Sequence, residues 1–167
     1  MQSVIYQRYG SPDVLELQDI PKPTPTEEQV LIRVYAASVN PYDWHFLRGT
    51  PSFLRLFIGI RKPKSPRLGA DVAGIVEAVG ARVAQFKPGD FVFGAAKGSF
   101  AEYACAVASQ LAVKPQEISF EQAACLPIAG ITALQGLRDK GKVQTGQTVL
   151  INGAAGGVGT LAVQIAK

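Results

Sequence analysis

The alternation of apolar and polar positions marks the first two thirds of the chain as short strands and turns. In Gln29-Val30-Leu31-Ile32-Arg33-Val34-Tyr35-Ala36 the β-branched residues Val30, Ile32 and Val34 fall at every second position. That period buries one face of a strand. The stretches 71–79 and 90–93 read the same way, the second behind a Pro88-Gly89 turn signal. PKPTPTEE at 21–28 is a proline-rich connector that cannot be a central strand. Many short strands with Gly and Pro between them predict a barrel or sandwich.

After Pro115 the period lengthens. Ser119-Phe120-Glu121-Gln122 is a capping-box sequence, so a short helix is expected, interrupted near Pro127. Ile128, Ile131, Leu134 and Leu137 share one helical face, and Arg138, Lys140 and Gly141 supply a stop signal. TGQTVLIN then reads as a buried strand, GAAGGVG as a tight turn, and Val158, Leu161, Ala162 and Ile165 as the apolar stripe of a helix. A strand as apolar as 148–152 needs neighbours on both sides, and its helix would show Leu161, Ala162 and Ile165 to water unless something covers them. No internal repeat or low-complexity tract interrupts this order.

The glycine turn carries chemistry. Ala154-Ala155-Gly156-Gly157-Val158-Gly159 fits G-x-G-x-x-G with Ala154 in the first place. Such a turn must be tight, must let backbone approach a pyrophosphate, and must pack a helix close to its strand. The helix then offers free N–H groups and a positive dipole end. Thr160, not Lys, follows Gly159, which disfavours a nucleotide-hydrolase loop. The residue that reads the cofactor ribose falls about 20 positions past the glycines, beyond Lys167. The chain therefore reads as a first domain plus the opening strand and helix of a second.

Composition adds exclusions. With 47% hydrophobic and 18% charged residues over 167 positions, the chain is a packed globular protein. No apolar run is long enough to span a bilayer, and Arg8 interrupts any signal core. Cys105 and Cys125 are the only cysteines and His45 the only histidine, so a disulfide scaffold and a four-cysteine zinc site are excluded. Two thiols without a signal point to a reducing, cytoplasmic setting, with both cysteines expected to act as buried small hydrophobes. The net charge of +4 comes from one segment: residues 44–70 hold Arg48, Arg55, Arg61, Lys62, Lys64 and Arg67 and no acid. A solvated loop is the simplest account, and nucleic acid or membrane is not expected as a partner. Within it, Phe53, Leu54, Leu56, Phe57, Ile58 and Ile60 are too many apolar residues for a bare loop. A lid, ordinary core and a membrane contact all remain open for 51–67.

AASVNPYDWHFLRG, PRLGADVAGIVEAVGARVAQFKPGDFVFG, GSFAEYACAVASQLAVKP, AACLPIAGITALQGL and GQTVLINGAAGGVGTLAVQIAK together span most of residues 29–167. In these blocks the chain resembles the N-terminal half of a medium-chain dehydrogenase/reductase of the zinc-independent quinone oxidoreductase type. The resemblance implies a mainly β GroES-like barrel domain over 1–114, connecting helices over 115–146, and the first β-α unit of a Rossmann α/β domain over 147–167. It also implies an NAD(P)H-dependent reductase of a quinone, enone or related carbonyl, with NADPH favoured over NADH, and a homodimer in a full-length parent. The rival expectation is a non-catalytic GroES-like binding module or an inactive fragment.

Zinc-dependent relatives have Cys and His where this chain has Asn40 and Ala70, so the resemblance points to no metal. A carbonyl must then be polarised by hydrogen bonds. The polar cluster Asn40, Tyr42, Asp43 and His45 has the donors. By resemblance Asn40 is an orienting donor, and Tyr42 or His45 supplies a proton or hydrogen bond. Thr132 matches a threonine near the nicotinamide, and Ala154, Gly156, Gly157, Val158 and Gly159 hold the cofactor. Each has a plainer alternative: Asn40-Pro41 as a turn, Tyr42 and His45 as surface residues, Asp43 holding a neighbour, the Thr132 hydroxyl bonded back to its own helix.

Overall fold

The computed structural model describes residues 1–167. Two strands open it: β1 (Gln2–Tyr6) pairs antiparallel with β2 (Leu15–Asp19). Five more form one antiparallel sheet: β3 (Gln29–Ala36), β4 (Asp71–Val79), β5 (Phe91–Ala95), β6 (Tyr103–Val107) and β7 (Leu111–Val113), in the order β6-β3-β4-β5-β7. Bridges at Ser3–Ala101 and Ile5–Arg67 fasten β1 to the rest. The ladder does not close, since β6 and β7 are both edges, so the expected barrel is open rather than sealed.

The period-two pattern of β3 does what it predicts. Val30 and Ile32 are fully buried and pack with Val72, Val76, Val92 and Ala104 in the main core. At roughly 1.5–3 kcal/mol for each large aliphatic removed from water, this cluster is the main source of stability in the sheet. β4 is buried on both faces over its first four residues. Val72 and Val76 point into that core, and Ala73 points the other way, against Ala123 and Ala124. Asp71 has the parity of Ala73 and shares its side.

The helices are α1 (Pro41–Arg48), α2 (Arg55–Ile58), α3 (Phe120–Ala124), α4 (Pro127–Leu134) and α5 (Gly157–Ala166). The capping box at α3 forms as expected, with Ser119 Oγ accepting from the Gln122 N–H and Gln122 Oε1 from the Ser119 N–H. α4 runs on into a π-helical turn, Gln135–Lys140, that ends at Gly141. No helix is long and apolar enough to cross a membrane.

Three expectations are corrected. Residues 148–152 form no hydrogen-bonded strand, and Leu150 is 96% exposed. A parallel strand exists only as part of a ladder, and no other segment of the chain pairs with it. α5 does form and packs on α4, so Ala162 is buried and Leu161 half-buried, while Ile165 stays exposed. Cys125 is exposed at the end of α3, and Cys105 is only half-buried. In the segment 51–67, Phe53, Leu56, Phe57 and Ile60 are exposed, so ordinary core packing fails as its explanation.

Candidate active site

α1 begins where the chain leaves β3, and Asn40-Pro41 starts it. Pro fits the first helical turn because its missing N–H has no partner there. Asp43, three residues on, turns back so that its Oδ2 accepts from the Asn40 N–H at 2.8 Å. Its other oxygen accepts from the Gly69 N–H at 2.9 Å, tying α1 to the loop before β4. Gly69 has φ +95°, and a Cβ there would lie 2.3 Å from Ser99 Oγ, so only glycine brings this N–H to Asp43. Asp43 thus holds its neighbours, the plainer role foreseen for it.

Burial pushes the Asp43 carboxyl above the usual carboxylate range, against the pull of the Asn40 and Gly69 N–H groups. The native state therefore keeps this proton to higher pH than the unfolded chain does. The stability gained from it is full below the unfolded value, about 3.9, and is lost as pH rises to the higher native value. Urea midpoints measured across that window should fall relative to those of Asp43→Asn, which cannot ionise. Parallel pH curves for the two proteins would show that Asp43 is not perturbed.

The centre of the site is a residue the sequence did not single out. Asp71 is fully buried at the start of β4. Its Oδ2 accepts from Ser38 Oγ at 2.7 Å and from Asn40 Nδ2 at 2.9 Å, and its Oδ1 accepts from the Ile128 N–H at 3.1 Å. One carboxylate thus joins the sheet, the entry to α1 and the first turn of α4. Asn40 Nδ2 also lies 3.0 Å from Ser38 Oγ. These two acceptors, Ser38 Oγ and Asp71 Oδ2, are themselves only 2.7 Å apart, too close to take one amide proton each, so one proton of Asn40 Nδ2 is shared between them and the other is left free as a donor.

His45 and Tyr42 lie on α1 with different commitments. His45 Nδ1 lies 2.8 Å from the Thr50 carbonyl oxygen. A carbonyl only accepts, so Nδ1 carries the proton and Nε2 is left as the free ring nitrogen. The Tyr42 ring packs on Phe46 with centroids 4.1 Å apart, and its hydroxyl has no partner within the chain. Burial, then the Asp43 charge, raises its pKa, which keeps the phenol a neutral donor. Tyr42 borders a cavity of about 300 Å³ that also reaches Ala70, the chain neighbour of Asp71. The Thr132 hydroxyl donates to the Ile128 carbonyl at 2.6 Å, so it is bonded back to its own helix.

The glycine turn stands apart from this cluster but is joined to it through α4. The N–H groups of Gly157, Val158 and Gly159 donate to nothing within the chain; the first helical bond runs from Thr160 to Gly156. Gly156 and Gly157 are exposed and Gly159 is buried. A Cβ on Gly157 would meet nothing within 4 Å, so that face is open to a ligand. Free donors, an open approach and a helix dipole suit the diphosphate of a dinucleotide. No group of three or more His, Cys, Asp or Glu side chains is placed to hold a metal ion.

Known proteins match the chain along its whole length. Residues 26–116 match the alcohol dehydrogenase GroES-like domain. The quinone oxidoreductase of Lama guanicoe is 42% identical over 171 residues, covering 100% of this chain and 49% of that protein. The solved structure of the Escherichia coli quinone oxidoreductase complexed with NADPH superposes with a TM-score of 0.85 at 32% identity, over 99% of this chain and 49% of that one. The CurK enoyl reductase gives a TM-score of 0.91 at 34% identity, over 99% and 50%. The chain spans about half the length of the curated relatives it matches. It belongs to the alcohol dehydrogenase GroES-like domain family, within the medium-chain dehydrogenase/reductase superfamily.

Proposed function

We propose that the protein carrying this chain is a zinc-free, NADPH-dependent reductase of quinones, enones or related conjugated carbonyls. The observation that carries the reading is the Asp71 network, which ties the entry of α1, and with it Asn40, Tyr42 and His45, to the N-terminus of α4, the helix on which α5 packs. Its likeness to quinone oxidoreductases along the whole chain supports the same conclusion. The backbone N–H groups of Gly157, Val158 and Gly159 would hold the cofactor diphosphate, with Ala154 and Gly156 shaping the turn. Bound there, NADPH supplies the hydride.

The chain's own residues do the rest. Negative charge builds on the acceptor oxygen as it is reduced, and a preorganised donor stabilises it. The Tyr42 O–H is that donor, since it is neutral and unengaged. His45, with Nδ1 held by Thr50, exchanges a proton with solvent at Nε2 and delivers it to the reduced oxygen. Asn40 is fixed by Asp71 and keeps one amide proton with which to orient the bound ligands. An amide at 40 and a methyl at 70 leave zinc without its ligands.

NADPH oxidation by the purified protein, followed at its nicotinamide absorbance against a panel of quinones, enones and aldehydes, tests the reading. Turnover with at least one conjugated acceptor, undiminished by chelators, is expected. Inactivity across the panel would overturn the reductase assignment, and stoichiometric zinc by metal analysis would overturn the zinc-free one.

A further inference from the structure

The cavity beside Tyr42 carries more cations than a neutral carbonyl needs. Three of its lining residues are Lys64, Arg67 and Lys97, and none of its lining residues is acidic. None of the three cations is in an ion pair, although six ion pairs occur elsewhere in the protein. Their backbones are pinned. The Lys64 N–H donates to the Ile58 carbonyl at 2.7 Å, the Gly98 N–H beside Lys97 donates to the Gly69 carbonyl at 2.9 Å, and Arg67 bridges to Ile5 in β1. Three like charges along one concavity, with no acid among its lining residues, give it a positive potential.

Tyr6, Tyr42 and Phe46 give the cavity an aromatic part to its wall. Tyr6 is 2% exposed, and its hydroxyl makes only a long 3.5 Å contact to the Phe46 carbonyl. A buried phenol this weakly engaged is short of a partner. Burial, with Tyr9 and Tyr42 adding to it, raises its pKa to about 12, so it stays an O–H donor.

We infer that this cavity seats the substrate, and that the substrate is a planar conjugated carbonyl carrying an oxyanion, a carboxylate or a phosphate, which Lys64, Arg67 and Lys97 bind. The inference rests on reading α1 as the substrate side of a reductase. It adds the charge of the substrate, which the resemblance to quinone oxidoreductases does not supply. At about 300 Å³ the space is at the small end of ligand sites, enough for one ring and its substituents. The segment 51–67 becomes part of that site, since Ile58 and Lys64 form one wall of it.

The test uses three planar aryl ketones that differ in one group: 4-acetylbenzoate, 4-acetylphenyl phosphate and 4-acetylbenzamide. Each is titrated into the 15N-labelled chain at low salt, reading the amides of Gly69 and Gly98. One anion is expected to bind at least tenfold more tightly than the amide, and which one wins separates carboxylate from phosphate. The variant Lys64→Gln/Arg67→Gln/Lys97→Gln should bring that anion within twofold of the amide while amide binding stays unchanged. Lys64→Gln and Lys97→Gln, both at exposed side chains, should each lose about threefold, and they keep the test intact if the triple variant fails to fold. Equal binding of anion and amide, or a preference that survives neutralisation, overturns the proposal alone. Failure of all three ketones to bind overturns it together with the substrate-side reading of α1. Inorganic phosphate binding as tightly as the aryl phosphate would make this a free-anion site and would also overturn it.

Discussion

Asp71→Ala is expected to be the most damaging single substitution in the chain. It removes the acceptor for the Ser38 hydroxyl, the Asn40 amide and the Ile128 N–H at once, in a position with no access to water. A buried donor left without a partner costs about 1–3 kcal/mol. Ser38 and Asn40 can still bond each other, so a loss of about 3 kcal/mol is expected overall. For a chain of this size that corresponds to a drop in Tm of roughly 6–12 °C. Asp71→Asn keeps the shape and one acceptor but turns an N–H₂ towards a donor, so it should lose less than Asp71→Ala. Thermal melts by circular dichroism decide the matter, and an Asp71→Ala protein melting within 2 °C of the parent would show that the network contributes nothing. The proposed reductase activity should fall most in Asp71→Ala, where nothing any longer holds the entry to α1 against the start of α4.

What the sequence made legible was whatever depends on near neighbours. Val30 and Ile32 announce the buried face of β3 because alternation along a strand is a property of the strand itself, and both are fully buried. Ser119 and Gln122 announce the start of α3 because the box closes over three residues. Asp71 was not legible as the centre of the site. Its partners lie 33, 31 and 57 residues away, and a lone acid at the head of a strand reads as a polar edge.

The same contrast accounts for the expectations that failed. The sequence of 148–152 has every local sign of a strand, but a parallel strand exists only through its ladder, and Leu150 lies in water without one. Cys125 looked like a core residue by type, yet it caps the short helix α3 and faces out. In the segment 51–67 composition gave three readings that only the position of the backbone could separate. Four of its large apolar residues are exposed, and Ile58 turns to the cavity.

The second large effect is expected at the glycine turn, where two neighbouring glycines should fail in different ways. A Cβ at Gly159 would lie 2.1 Å from the Gly153 carbonyl oxygen and 2.7 Å from Ala154 Cα, both backbone atoms that cannot swing aside. Gly159→Ala must therefore push the turn away from α5, at a cost of about 1–3 kcal/mol for overpacking. That opening should appear as faster hydrogen exchange along α5, and NADPH affinity should fall by more than tenfold because the free N–H groups lose their alignment. At Gly157 a Cβ meets nothing within 4 Å. Gly157→Ala should leave exchange in α5 unchanged or slower, since alanine favours a helix over glycine by up to about 1 kcal/mol. Its methyl instead occupies the open approach to the diphosphate, so NADPH affinity should still drop by about tenfold. Calorimetric titration of NADPH, paired with exchange of the α5 amides, separates the two mechanisms. A Gly159→Ala protein with parental exchange and affinity would mean the turn is looser than the close contact at Gly153 requires. A Gly157→Ala protein that binds NADPH as well as the parent would mean the diphosphate does not approach this face, and the assignment of the turn to the cofactor would fall with it.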